Sequence, residues 1–184
     1  MPQHQSLNMV FARRWAVPIL AQLANSSGCK FVTLTKNLDG SRDSLKASLE
    51  LLDTLGLVKP NAGHGHPMRP EYILTARGAL ISKPAASLVY ALEKADTIEL
   101  GLKKWSMPTL HAVDSGAERF NGIVDSLRSA TDRAVSLALN DIQSMSMIQR
   151  TLIDSRPPRS AYTLTRKAKK LSPILIDMHD ALLS

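Results

Sequence analysis

The chain repeats itself, and no other feature restricts its fold as much. Shifting the sequence by about 90 residues lays Trp15, Pro18 and Leu20 on Trp105, Pro108 and Leu110. The same shift lays Pro67, Arg69, Tyr72, Leu74 and Thr75 on Pro157, Arg159, Tyr162, Leu164 and Thr165. Between these anchors the apolar pattern continues: Leu49, Leu52, Leu55, Leu57 and Val58 fall on Leu139, Ile142, Met145, Met147 and Ile148. With the shift relaxed by one, Phe31, Leu34 and Leu38 fall on Phe120, Ile123 and Leu127. The chain has 2 Trp and 3 Tyr, so an aligned pair of each at one offset argues for duplication over coincidence. We therefore expect two domains, 1–97 and 98–184, joined near 95–102.

Each copy reads as mainly helical. Val10, Val17, Leu20 and Leu23, with Trp15 and Ile19, recur at helical spacing over 9–24, although Pro18 implies a bend or a late start. Ser26-Ser27-Gly28 ends that helix. Phe31 to Leu38 fits a brief extended residue and two helical turns, and Asp39-Gly40 marks a turn. Ser41 caps the next helix, 41–55, whose Leu45, Leu49, Leu52 and Leu55 share one face before Gly56 stops it. The opposite face carries Arg42, Asp43, Lys46, Ala47 and Glu50. Leu57-Val58-Lys59 and Glu71-Tyr72-Ile73-Leu74 are extended arms of a hairpin whose tip, 60–70, is rich in Pro, Gly and His. Thr75 caps a last helix running into the 90s. Two helices across a tight turn followed by a hairpin wing is a geometry that lets the second helix enter a major groove.

This order, with Trp15, Leu20, Leu23, Phe31, Leu34, Leu45, Leu49, Leu52, Gly56-Leu57-Val58, Pro70-Glu71-Tyr72, Leu74-Thr75 and Gly78, resembles the HxlR family of winged helix-turn-helix regulators. The resemblance covers most of 10–92, with a worn version over 100–178. It implies a fold that is mainly α with small β-hairpin wings, and double-stranded DNA as partner. Such regulators carry one winged helix per chain and pair through their first and last helices. Two copies in one chain then imply an intramolecular pseudo-dimer, with further homodimerisation left open. Members often carry a reactive cysteine just ahead of the first helix's Trp, which is missing here.

Charge agrees with a polyanion partner and divides unevenly. The net charge is +7, with 11 Lys and Arg against 6 Asp and Glu over 1–95, and 12 against 10 over 96–184. Copy 1 is thus the expected reader. Copy 2 lacks the glycine, having Met145-Ser146-Met147 where copy 1 has Leu55-Gly56-Leu57. For base edges and phosphates we expect Arg42, Ser44 and Lys46, beginning at the capping Ser41. Lys36 and Lys59 are expected on phosphates, and His64, His66, Arg69, Arg156 and Arg159 on the wings. Arg133 is the cation of the second recognition-like helix. His64-Gly65-His66 as half a metal site lacks Cys, Glu or Asp at ligand spacing nearby, so no cofactor or metal is expected.

Enzyme motifs are missing: there is no Gly-rich phosphate loop, no nucleophile elbow, and His4, His111 and His179 are isolated. The run Arg166-Lys167-Ala168-Lys169-Lys170 reads as a solvated helix turn. The single Cys29 reads as a loop thiol in a reducing compartment. With no signal peptide or membrane span visible, a cytoplasmic location is expected. Two other functions compete: a winged helix that binds another protein, and a ligand-responsive regulator with a pocket between the copies lined by Met107, Met145 and Met147 and an unknown small-molecule effector.

Overall fold

A computed structural model describes residues 5–61, 71–154 and 158–183. Copy 1 begins with α1 (Gln5–Val10) and α2 (Ala16–Leu23). The single helix expected over 9–24 is thus two. Pro18 is the third residue of α2, inside the first turn, where a backbone N–H has no intrahelical partner and its loss costs little. β1 (Cys29–Lys30) leads into α3 (Phe31–Asn37), α4 (Arg42–Thr54), β2 (Val58–Pro60), β3 (Glu71–Leu74) and α5 (Ala76–Lys94). The three strands form an antiparallel sheet in the order β1-β3-β2, with Cys29 opposite Tyr72 and Val58 opposite Leu74. Cys29 is therefore a buried strand residue rather than a loop thiol.

Copy 2 repeats the order: α6 (Ile98–Gly101), α7 (Ser106–Asp114), α8 (Phe120–Ser126), α9 (Asp132–Ser144), β4 (Ile148–Ile153), β5 (Arg159–Leu164), α10 (Arg166–Lys169) and α11 (Ser172–Leu183). Its first strand is worn to one bridge, Arg119 to Ala161, beside a Tyr162 N–H bond to the Glu118 carbonyl. Where α5 runs on through Pro84, copy 2 divides the same stretch into α10 and α11, and Pro173 falls in the first turn of α11.

The fastening of wing to last helix is the same in both copies. Thr75 donates its N–H to the Leu57 carbonyl (3.0 Å) and its hydroxyl to the Gly56 carbonyl (2.6 Å), and accepts from the Gly78 N–H (3.0 Å). Thr165 does this with Met147 (3.0 Å), Ser146 (2.8 Å) and Ala168 (3.3 Å). Two residues on, Arg77 and Lys167 each donate to the last carbonyls of the recognition-like helix, at Leu55 (3.2 Å) and Met145 (3.0 Å), where a cation complements the helix dipole. The backbone turn before this fastening is left-handed in both copies, at Gly56 (φ 67°) and Ser146 (φ 57°). Only glycine adopts that conformation without strain.

The two copies share one apolar core. α2 packs on α5, and α5 packs against α11, its counterpart in the other copy. The leading helix α1 reaches across to pack on α11 and α7 of copy 2, while α6, which follows α5 directly in the chain, packs on α5 and on α7 and α9 of its own copy. Met107, Met145 and Met147 are each at most 3% exposed and pack in the apolar core, and none of them borders the groove at the junction of the copies. That groove, about 460 Å³, is bounded by Trp15, Pro18, Val89, Tyr90 and Ile98 among others.

Candidate nucleic-acid interface

α4 is set on the body of copy 1 by its own sequence. Ser41 adopts an extended conformation and accepts a hydrogen bond from the Ser44 N–H (3.2 Å), satisfying one of the free amides of the first turn. Leu45, Ser48, Leu49 and Leu52 then face inward, and α4 packs on α2, α3 and β2. Ser48 is buried without penalty because its hydroxyl bonds the Ser44 carbonyl (2.8 Å). Gly40, in the turn from α3, lies under the Trp15 ring so closely that a Cβ there would meet it at 2.7 Å. The turn of the helix-turn-helix is thereby fixed to the first core helix.

The outward face of α4 holds Arg42, Asp43, Ser44, Lys46, Glu50 and Asp53, all exposed. Both cations, Arg42 and Lys46, sit in the first turn and a half with Asp43 between them, while Glu50 and Asp53 follow. The start of a recognition helix is the part that meets base edges, so cations are concentrated where contact would occur. The Arg42 guanidinium lies over the Phe31 ring, 5.4 Å from its centre, which holds it beside the N-terminus of α3. Lys46 approaches Glu50 at 3.9 Å, an exposed pair of small energetic consequence. Ser44 is less available than its sequence position suggests, because its hydroxyl accepts from Ser41 (2.9 Å). Ser41 itself is occupied by the cap.

The remaining expected residues fall as follows. Lys36 is exposed in the last turn of α3, and Lys59 is exposed on β2 at the base of the wing. His64, His66, Arg69 and Arg156 lie outside the described residues. In copy 2, α9 is capped by Thr131 as α4 is by Ser41, and its outward face carries Asp132, Arg133, Ser136, Leu137 and Asn140. Arg133 is the lone cation of that face, and Leu137 is 55% exposed. Arg159 is exposed at the start of β5, on the opposite face of the hairpin from Arg150. Arg119 and Arg150 are cations that the sequence alone did not single out. The repeat held the signal: Arg119 stands for Lys30, and Arg150 stands for Pro60.

Two shifts in acidity bear on chemistry. Burial, then the charge of Glu71, pushes the Cys29 thiol up, against a smaller lowering by a hydrogen bond with Thr33. A thiol held protonated is the reverse of a reactive thiolate. Burial, followed by Glu50 and Asp53, likewise raises the Tyr72 hydroxyl. Among the described residues no group of three or more His, Cys, Asp or Glu is placed to hold a metal ion, and no helix is long and apolar enough to cross a membrane.

The family model described as HxlR-like helix-turn-helix matches the chain twice, over residues 10–94 and 100–182. The HTH-type transcriptional regulator sll1512 of Synechocystis sp. is 29% identical over 82 residues, covering 45% of this chain and 61% of the relative. The HTH-type transcriptional regulator YvaP of Bacillus subtilis is 31% identical over 83 residues, covering 45% of this chain and 75% of that protein. The chain therefore spans about three fifths of the length of the cyanobacterial relative. Among solved structures, the reduced form of the transcriptional regulator YodB from B. subtilis matches 48% of this chain and 86% of its own at 20% identity, with a TM-score of 0.42. With both halves matched by one family model, the chain belongs to the HxlR-like helix-turn-helix family of transcriptional regulators and carries two of its domains in tandem.

Proposed function

We propose that this protein is a sequence-specific DNA-binding transcriptional regulator that reads a promoter-proximal operator with copy 1, while copy 2 serves as its built-in dimer partner. α4 enters the major groove by its first turns, with Arg42 and Lys46 on base edges and phosphates. Lys36 and Lys59 take flanking phosphates, and the wing, 59–71, follows the adjacent groove. The observation that carries this reading is the outward face of α4: the helix is capped, holds both its cations in the first turn and a half, and packs on elements of copy 1 alone among its stronger contacts. The pairing of α5 with α11, and the packing of α1 on α11 and α7, support the role of copy 2, since such regulators otherwise find that surface on a second chain.

Copy 2 on this reading braces more than it reads. Its α9 face offers Arg133 alone and exposes Leu137, which suits protein contact better than a phosphate-lined groove. Were both copies to read, their helices would sit one DNA turn apart, about 34 Å. A gel shift on the operator in rising salt tests the proposal. Affinity should fall steeply with salt, by a log–log slope of about 0.9 per phosphate contact, and the Arg42→Ala, Lys46→Ala double change should weaken binding and flatten that slope. Binding indifferent both to salt and to the double change would overturn it.

A further inference from the structure

The copy 2 hairpin leaves one edge of its sheet open. β4 pairs with β5 on one side, and among the described residues its only other substantial contact is with α9, which leads into it. The far side of β5 is covered by the Arg119 bridge to Ala161 and by the Tyr162 N–H bond to the Glu118 carbonyl, so the free edge is that of β4. Gln149 through Asp154 are exposed, and Leu152, at 71%, is the most exposed large apolar side chain among the described residues. The Thr165 N–H bonds the Met147 carbonyl, so by alternation Gln149, Thr151 and Ile153 turn their N–H and C=O groups toward β5. Arg150, Leu152 and Asp154 turn theirs to the open side. Copy 1 blunts the same edge. Its β2 is three residues long and ends at Pro60, the position of Arg150, where proline has no N–H to offer. In copy 2 the strand has six residues and no proline.

A second chain pairing with this edge about a two-fold axis must set outward-turned residues opposite one another. Centred on Arg150, the pairing sets two guanidinium groups face to face; centred on Thr151, it sets Arg150 opposite Leu152. Centred on Leu152, it sets Arg150 opposite Asp154 of the second chain on both sides of the axis, with the exposed leucines meeting between them. Neither Arg150 nor Asp154 is ion-paired with a described residue. A bond from Arg150 Nε to the Ser160 hydroxyl (2.9 Å) steadies the guanidinium without using its terminal nitrogens. Opposite charges directly across a strand pair stabilise it and like charges destabilise it, so the charges choose the register on Leu152. We propose that two copies of this chain associate through β4, antiparallel and centred on Leu152, so that their copy 2 hairpins become one four-stranded sheet. The pairing closes on itself, because it occupies the free edge of each hairpin and leaves none for a third chain. A single strand pair is a small interface of the weak class, so at the low concentrations of a gel shift the chain acts alone.

Sedimentation equilibrium of the whole chain without DNA, from micromolar to hundreds of micromolar, tests the proposal. A monomer–dimer equilibrium is expected. Leu152→Pro removes an outward N–H while leaving the β4–β5 ladder intact, and it should abolish the dimer. Asp154→Arg sets arginine against arginine on both sides of the axis and should weaken the dimer about tenfold or more. Adding Arg150→Asp to that variant should restore it, since the charges are then exchanged rather than unmatched. The Arg42→Ala, Lys46→Ala protein should dimerise as the parent does, so that loss of DNA reading and loss of this contact are told apart. A chain that stays monomeric throughout would overturn the proposal and leave the edge to a strand of another protein. So would a dimer indifferent to Leu152→Pro, which would use another surface, or one that the exchanged charges fail to restore.

Discussion

At their first core helices the two copies differ where a core is least expected to. Copy 1 buries Ala16 and Ile19 on α2 and half-buries Ala21; copy 2 buries Ser106, Thr109 and His111 at the same positions of α7. The Ser106 and Thr109 hydroxyls have no hydrogen-bond partner among the described residues. On the last helix, Val89 of copy 1 is replaced by His179, whose ring packs on that of His111 with centres 5.2 Å apart. Yet the caps, the left-handed turn and the threonine fastening are kept in both copies. Duplication has therefore preserved the frame that sets helix against wing, while the first core helix of copy 2 has gained buried polar groups and the outer face of α9 keeps Arg133 as its one cation. On the proposed reading, a domain released from reading DNA and packed against its twin across α5 and α11 can carry such a core.

The largest expected effect separates the two outer faces. Replacing Arg42 and Lys46 by Ala should weaken operator binding of the order of a hundredfold, at about 1–3 kcal/mol for a base-reading arginine and less for a phosphate contact. Arg133→Ala should weaken it by less than about tenfold; equal losses, measured by gel shift, would break the asymmetry. Next in size is Gly78, where an added Cβ would lie 1.8 Å from the Leu57 carbonyl oxygen. Gly78→Ala should cost about 1–3 kcal/mol from crowding, whereas copy 2 already accommodates a buried Ala168 and Ala168→Gly should cost about 1 kcal/mol. Denaturant unfolding compares them.

Within the copy 2 core, Thr109→Val keeps the shape and removes a buried hydroxyl, so it should stabilise by about 1 kcal/mol. Hydrogen exchange of copy 2 amides reads that gain locally, and faster exchange would contradict it. The left-handed turn gives a reciprocal pair of similar or smaller size. Ser146→Gly should stabilise and Gly56→Ser destabilise, each by up to about 1 kcal/mol, since open space around Gly56 leaves backbone strain as the cost.

Acidity supplies the smallest contrast. Burial lowers the His179 pKa, with the Asp180 charge opposing it more weakly. The folded form then binds fewer protons than the unfolded one, so stability is complete above the ordinary histidine value of about 6.5 and declines as pH falls below it. Melting between about pH 7.5 and pH 5.5 should show that decline in the parent and a shallower one in His179→Gln. An unchanged slope would remove His179 from the account of copy 2.

Features fixed by short stretches of chain were legible in advance. The serine and threonine caps, the Gly56 turn, the leucine face of α4 and the hairpin arms each follow from neighbouring residues. The break between α1 and α2 was hidden because Val10, Leu7 and Phe11 carry the apolar period up to it, and all three are buried as the period predicts. β1 is two residues long, too short for alternation to register, so Cys29 looked like a loop. The packing of α1 on α11 and α7, and of α5 on α11, depends on contact between distant segments, which periodicity does not encode. As for α4, its cations and its cap were visible in sequence, but the occupation of Ser44 by Ser41 and of Arg42 by Phe31 required the three-dimensional turn.

Selection of bound sequences from random duplex DNA by the whole chain tests most directly whether a single copy reads. One enriched half-site is expected, lost when Arg42 and Lys46 become Ala and retained when Arg133 becomes Ala. Two equally enriched half-sites about one helical turn apart, or no enrichment at all, would contradict it.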